Sequence, residues 1–397
     1  MSTPRCPYFG NCGGCTFQHV DYQQQLENKR KAVEAAIKAK DINIEVKAFS
    51  ANDYGYRNRM DFIFHRNGLG FRKKGDWRTI IDIKHCDISE DQVNKLLDEV
   101  RLNFKDCDYF DNRKNSGTFR YAVIRTANSS VQSSADFSSQ AQAFSSISFV
   151  LNSDSTRLQD AIEKIKGFAE KTSATNVAVA YVHSKTDMSV SDDSFMVKGE
   201  EDLMQEYLGK KFHFSIQGFF QNNHMMAEVM HAYCRNLLKA HVTKEIGIKD
   251  KSIHDFHLLD LYGGVGTFAI INAGLFKTAL TVESVKQCTD SAEKNIEENK
   301  VEGCKAMTLD ARYIKKLALS KPLVVITDPP RSGMHPDTIL ELNRIKPNLI
   351  IYVSCNLEQL EKDIPKFKDY EMRSAALFDL FPQTPHSETM VELRLKE

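Results

Sequence analysis

The chain has 397 residues, 42 % of them hydrophobic and 10 % aromatic, and its 53 Lys and Arg balance 53 Asp and Glu to a formal net charge of zero. Length and apolar content suit a globular protein of two or three domains and exclude an intrinsically disordered one. The neutral total excludes a globally basic polyanion binder, while the lack of a signal-type leader or a run of roughly 20 apolar residues predicts a cytoplasmic protein with no membrane partner.

The chain opens on a small Cys/Gly/Pro-rich knob in which Cys6, Cys12 and Cys15 stand at tight ligand spacing, with Gly13 and Gly14 free to wrap a metal. A cytosolic chain keeps thiols reduced, so its nine cysteines are core residues, metal ligands or a nucleophile rather than a disulfide framework. Cys86, in Asp82-Ile-Lys-His-Cys-Asp-Ile, is the natural fourth ligand. Four cysteines suit a tetrahedral zinc or a 4Fe-4S cluster, and spacing leaves both open.

Helical spacing follows from about Asp21 to Lys40. Between Arg57 and Arg78 seven Lys and Arg are interleaved with Phe62, Phe64, Phe71 and Trp77, against Asp61 and Asp76. Such a segment offers phosphates a cationic face and unpaired bases a stacking face, or it is a hairpin about Asn67-Gly68 with its aromatics in the core. From Tyr54 to about Val182 the pattern is mainly β, with short strands expected at Arg59–Phe64, Phe119–Thr126, Ser146–Leu151 and Asn176–Val182. The serine-rich stretch Ser129–Ser148 reads as a loop or edge without chemistry.

Beyond Asn222 a long helix, Met225 to about Ala240, leads into strand–helix repeats. Buried-type strands are expected at His257–Leu261, Ala279–Glu283, Leu323–Thr327 and Leu349–Ser354, with a last apolar run at Met390–Leu395. This alternation predicts an α/β domain built on a parallel, doubly wound sheet. The expected division is 1–90, a cysteine-cluster and basic RNA-contacting segment; 91–221, a β-rich central domain; and 222–397, the α/β domain.

Chemistry-bearing residues sit at the carboxyl ends of these strands, where such folds place their sites. Leu258-Leu-Asp-Leu-Tyr-Gly-Gly-Val-Gly-Thr-Phe runs a strand into a glycine turn through Tyr262, Gly263, Gly264 and Gly266. It lacks the fully spaced dinucleotide fingerprint, which favours a nucleoside-type cofactor. Glu283, twenty residues after Gly263, is placed for ribose hydroxyls, and Asp310, after the next strand, for an adenine edge. Asp328-Pro-Pro-Arg331 and Val353-Ser-Cys355-Asn356 end two more strands, and Pro385-His386-Ser-Glu388-Thr precedes the final one. Cys107, Cys234, Cys288 and Cys304 read as small core residues, whereas Cys355 lies in a polar step at a strand terminus.

The motifs FFQNN (residues 219–223), LDLYGGVGTF, DPPR, VSCN and HSETM, in this order over nearly the whole chain, resemble the RNA 5-methyluridine (uracil-C5) methyltransferase family. The resemblance implies a Rossmann-like class I methyltransferase domain preceded by a β-rich RNA-binding region with a cysteine cluster. It assigns Cys355 as nucleophile, Glu388 as base, and Gln221, Tyr262, Glu283 and Asp328 to S-adenosyl-L-methionine with the glycine turn beneath it; Asp310 is a looser match, and His386 and Arg331 are orienting candidates. It favours a 4Fe-4S cluster on Cys6, Cys12, Cys15 and Cys86 over zinc. It places Arg57–Arg78 and the run Arg120–Arg125 on the RNA-facing side. Only five residues precede Cys6, so the family's small β-barrel (TRAM) module is expected to be absent and the RNA footprint smaller.

The chemistry explains the residue types. Carbon 5 of uracil becomes nucleophilic when a thiolate adds to carbon 6, and a base must later take the carbon 5 proton so that the thiolate leaves. The target must be unpaired or flipped from its stack, as in a loop of ribosomal or transfer RNA. A monomer is expected. RNA cytosine-C5 methylation, which shares the cysteine chemistry, and a non-catalytic iron–sulfur RNA-binding protein are the competing readings.

Overall fold

The computed structural model describes residues 2–40, 42–128, 143–245 and 255–396. Its elements run α1 (Tyr22–Lys38), β1 (Val46–Phe49), β2 (Arg59–His65), β3 (Gly68–Lys73), β4 (Asp76–Asp82), α2 (Asp91–Asn103), β5 (Phe119–Asn128), β6 (Ala143–Asn152), α3 (Leu158–Ala169), β7 (Asn176–Val182), β8 (Ser194–Lys198), β9 (Asp202–Tyr207) and β10 (Lys210–Ser215). There follow α4 (His224–Glu245), β11 (His257–Leu261), α5 (Thr267–Asn272), β12 (Thr278–Glu283), α6 (Lys286–Glu298), β13 (Cys304–Thr308), β14 (Leu323–Thr327), α7 (Pro336–Ile345), β15 (Leu349–Ser354), α8 (Leu357–Asp363), β16 (Tyr370–Phe378) and β17 (Glu388–Leu395). Two compact units result: residues 1–22, 52–205 and 214–224, and residues 23–51, 206–213 and 225–397.

The first unit is a seven-stranded sheet ordered β4-β3-β2-β5-β6-β7-β8. All its pairs are antiparallel except β6 with β7, which α3 links as a crossover. One sheet thus runs through both 1–90 and 91–221, and the compact units do not follow a boundary at residue 90. Two helices interrupt the stretch read as mainly β. Val93, Leu96, Leu97 and Val100 of α2, and Ala161, Ile165, Phe168 and Ala169 of α3, are spaced for one helical face and bury it on the sheet. Phe64, Phe104, Phe119, Phe149 and Phe168 interlock there at centroid spacings of 4.7–6.4 Å. Within the serine-rich stretch, residues 129–142 lie outside the described residues and 143–148 belong to β6.

The second unit is an eight-stranded sheet ordered β1-β16-β17-β15-β14-β11-β12-β13. Its strands β11 to β15 are parallel, as the strand–helix alternation predicts, and β17 runs antiparallel between β15 and β16. Every residue of β14 and β15 is buried, the pattern of strands covered on both faces. Val33 and Ile37 of α1 and Val46 of β1 belong to the same core as Leu259, Val325, Ile350 and Leu393. The segment 23–51 is therefore part of this unit despite lying far from it in sequence. The division between units passes through the β9–β10 ribbon. No helix among the described residues is long and apolar enough to cross a membrane.

Candidate active site

Register alone sets the predicted residues in one row. Leu261 of β11 pairs with Val282 of β12 and Thr327 of β14, so the next residues, Tyr262, Glu283 and Asp328, line the same carboxyl edge. Ser354 of β15 pairs antiparallel with Thr389 of β17. Cys355 and Glu388 are the next residues beyond that pair, and the charge of Glu388 acts on the Cys355 thiol. Glu388 is reached from the other strand direction, which no local pattern reveals.

The glycine turn is built for steric reasons that can be stated position by position. A Cβ on Gly263 would lie 1.9 Å from Thr281 Oγ1 and 3.0 Å from Asp260 Oδ2. Gly266 holds φ +84° at the start of α5, and a Cβ there would press on Ile270 and Ala292. Gly264 faces open space. Tyr262 takes a left-handed φ of +58°, uncommon for an aromatic residue, and its hydroxyl accepts from His335 N at 3.4 Å. Glu283 pins the turn: Oε2 accepts from Gly264 N at 3.1 Å, while Oε1 accepts from Ser284 N at 2.6 Å and Val285 N at 3.0 Å. Asp310 caps the short helical turn after β13, accepting from Arg312 N at 3.0 Å, and these bonds with the Arg312 guanidinium hold its carboxyl below the usual range.

Two supports of the turn escaped sequence reasoning. Asp260, fully buried, accepts from Ala269 N at 3.1 Å and Thr281 Oγ1 at 3.3 Å, tying β11, α5 and β12 together. Burial pushes its carboxyl up to about 7. An acid inside an otherwise apolar strand was the available signal. Asn295 of α6, also fully buried, donates to Val265 O at 3.1 Å and to His213 O at 3.0 Å.

Around Cys355 the electrostatics are those of a crowded acidic site. Burial, with the charges of Glu388 and Asp328, pushes the Cys355 thiol up to about 11, and Arg331 opposes them. Asp328 is pushed up to about 7 by burial, and Glu388 is raised well above the carboxylate range by burial and by Asp328. Glu388 is 6 % exposed, and its Oε2 is buried without a hydrogen-bond partner. Asn356 Nδ2 donates to Arg331 O at 2.9 Å, joining the loops after β14 and β15. His386 N donates to Thr384 Oγ1 at 3.3 Å, and the His386 ring lies edge-on to Phe381.

Gln221 belongs to the other unit. Its segment is held there by Asn58, whose Nδ2 donates to Gln221 O at 3.2 Å, and by Arg125, whose guanidinium donates to Gly218 O at 2.7 Å and Phe220 O at 3.1 Å. Arg125 is 1 % and Arg120 3 % exposed. Arg120 donates to Ser184 O at 3.1 Å and lies over the Phe110 ring. The RNA-facing expectation for these two arginines is therefore corrected: both guanidinium groups are spent on backbone carbonyls inside the unit. Phe62 and Phe64 are likewise core, at 0 % and 1 % exposure, whereas Trp77 is 59 % exposed.

In the same unit the knob is stitched to the Cys86 region. Cys6 N donates to Gln18 Oε1 at 3.0 Å, Lys84 N to the Tyr8 hydroxyl at 3.1 Å, and Asn94 of α2 brackets Cys86 through its backbone N and O. Charge on Cys86 acts on each of Cys6, Cys12 and Cys15, so the four thiols lie within electrostatic reach of one another. Among the described residues, no group of three or more His, Cys, Asp or Glu side chains is arranged to hold a metal ion. His85 faces Asp87 and His19 packs on Phe9.

Comparison with known proteins follows the same lines. Residues 204–396 match the family described as tRNA (Uracil-5-)-methyltransferase. An uncharacterized RNA methyltransferase of Caldanaerobacter subterraneus is 28 % identical, covering 96 % of this chain and 83 % of that protein. The tRNA (uracil(54)-C(5))-methyltransferase of Pyrococcus abyssi is 29 % identical, covering 98 % of this chain and 85 % of that one. The crystal structure of the Pyrococcus abyssi tRNA (uracil-54, C5)-methyltransferase in complex with S-adenosyl-L-homocysteine superposes with a TM-score of 0.75 at 27 % identity, covering 96 % of this chain and 85 % of that one. That likeness gives the second unit the Rossmann-like methyltransferase fold, with a β-rich unit beside it in sequence. By the match over residues 204–396 and these relatives, the chain is similar to RNA (uracil-C5)-methyltransferases along nearly its whole length.

Proposed function

We propose that the protein methylates carbon 5 of one uridine in transfer RNA through a covalent adduct on Cys355, with Glu388 as the base. The observation that supports this most is the β15–β17 register, whose last pair, Ser354 and Thr389, adjoins Cys355 and Glu388 at the carboxyl edge that also carries Asp328, Tyr262 and Glu283. Transfer RNA, and its uracil 54 as the first position to map, rest on the names of the Pyrococcus relatives.

S-Adenosyl-L-methionine fits the carboxyl edge and, when bound, supplies the methyl group. Tyr262, Gly263, Gly264, Gly266, Glu283, Asp310 and Asp328 would hold it, the glycines by letting its body lie against backbone and the carboxylates by accepting from its hydroxyls and amines. Cys355 Sγ forms a bond to carbon 6 of the uracil, and the ring electrons this displaces make carbon 5 nucleophilic. Arg331 favours the thiolate, against the opposing charges of Asp328 and Glu388. Once carbon 5 carries both a proton and a methyl group, Glu388 takes that proton, the ring double bond re-forms and the carbon–sulfur bond breaks. The partnerless Oε2 of Glu388 is the oxygen available for the transfer.

Cys6, Cys12, Cys15 and Cys86 are the donors we assign to a 4Fe-4S cluster, with a structural role; an all-thiol set suits the cluster as it suits zinc.

The test is mass spectrometry of nucleosides after reaction with unmodified tRNA and S-adenosyl-L-methionine. New 5-methyluridine that disappears in Cys355→Ala, together with a denaturation-resistant adduct on RNA containing 5-fluorouridine, is the expected result. Substantial turnover by Cys355→Ala would falsify the mechanism, and 5-methylcytidine instead of 5-methyluridine would overturn the substrate.

A further inference from the structure

The chain has a single tryptophan, Trp77, and with Phe219 it is one of the exposed aromatic side chains of the first unit. It sits on β4 just past the tip of the β3–β4 hairpin, whose turn runs through Lys74 and Gly75 with Gly75 at φ +75°. The Arg78 guanidinium lies 5.2 Å from the ring centroid and that of Arg72 5.9 Å, yet 59 % of the residue stays open. Lys73, Lys74 and Arg78 are all exposed around it. Local acids are engaged elsewhere: Asp76 accepts from Arg78 N and Thr79 Oγ1, and Asp187 accepts from Arg72 and from the Tyr121 hydroxyl. An exposed indole offers a flat π face on which a base can stack. A cationic rim selects an anionic chain with π faces, which is an unpaired stretch of RNA.

The hairpin is also held rigidly. Gly13 N donates to Arg72 O at 3.0 Å and Lys74 N to Asn11 O at 2.7 Å, which fastens the tip to the cysteine knob on either side of Cys12. A Cβ on Gly13 would already lie 3.1 Å from Arg72 O. Arg72 is fixed from the other side by its bonds to Trp77 O at 2.6 Å and Asp187 Oδ2 at 2.5 Å. A ring whose position is set in advance loses little entropy when a base stacks on it.

We infer that Trp77 is a stacking platform for an unpaired nucleotide of the RNA substrate, with Arg78, Lys73 and Lys74 taking the flanking phosphates. The inference rests on the proposed RNA methylation and adds a surface of the first unit that grips the RNA. The cysteine knob acts as a positioning element for this hairpin.

Because Trp77 is the only tryptophan, excitation at its absorption edge reads this residue alone in the full-length wild-type protein. Titration with an unmodified tRNA transcript that the same preparation methylates is expected to quench the emission with the affinity measured independently by filter binding. Trp77→Ala is expected to weaken tRNA binding about tenfold or more, and Trp77→Phe to keep most of it, since stacking on a side chain contributes roughly 1–3 kcal/mol per base. S-Adenosyl-L-homocysteine affinity should be unchanged in both variants. If tRNA is bound and methylated while the emission does not change, or Trp77→Ala binds as wild type, the platform is wrong and the methyltransferase reading stands. If no RNA is bound or methylated, both fall together.

Discussion

Lys29 of α1 and Asp379, ahead of β17, form an ion pair of 2.7 Å whose side chains are 4 % and 0 % exposed, and Lys29 Nζ also donates to Phe381 O at 3.1 Å. Beside it Gln25 and Gln383 exchange bonds of 2.9 and 3.2 Å. Together they clamp the segment 379–387, which delivers Glu388. Lys29→Met removes one charge and leaves Asp379 buried without its counter-ion, a change that costs about 3–5 kcal/mol. For a unit of this size that corresponds to a fall in Tm of about 6–20 °C. Replacing both partners, as Lys29→Met with Asp379→Leu, removes the stranded charge and should recover most of the loss, Phe381 O keeping its bond from Thr384 Oγ1 at 2.8 Å. Scanning calorimetry of wild type, both single variants and the double variant gives the coupling energy directly. Residual folded enzyme of the single variant should show a lowered kcat with S-adenosyl-L-homocysteine affinity retained, because the clamp orients the base and not the cofactor edge. Losses that simply add in the double variant would refute the buried-charge argument.

Two further predictions concern the site itself. Gly263→Ala should abolish S-adenosyl-L-homocysteine binding by calorimetry, since its Cβ would collide with Thr281 and Asp260, whereas Gly264→Ala meets no atom within 4 Å and should cost only about 1–2 kcal/mol for its left-handed φ. With the Cys355 thiol pushed up to about 11, its iodoacetamide labelling, followed by peptide mass spectrometry, should rise steadily from pH 7 towards pH 11; Arg331→Met, which removes the one favourable charge, should slow labelling at pH 9.

Much of this architecture was legible in the chain. His257–Leu261, Leu323–Thr327, Leu349–Ser354 and Asn176–Val182 are strands with the expected bounds, because a strand buried on both faces is a short unbroken apolar run flanked by polar residues. The helices α2 and α3 were hidden among β-like segments, although their buried residues do keep helical spacing. Short, half-exposed strands such as β1, β8, β9 and β13 have too little apolar pattern to stand out. Arg120 and Arg125 misled most: a charged side chain reads as surface, and only its carbonyl partners, distant in sequence, reveal a buried structural role.

Which residue types lie at strand ends can be read locally along the chain, since alternation, glycine punctuation and polar termini are local properties. Thus Tyr262, Glu283, Asp328 and Cys355 were placed on one edge before any coordinates. Long-range packing alone inserts β17 antiparallel between β15 and β16, carrying Glu388 to the edge beside Cys355, and sets Lys29 of α1 against the segment ahead of β17. The reason is physical: strand order and buried ion pairs depend on contacts between distant parts of the chain, and no local pattern encodes the partner.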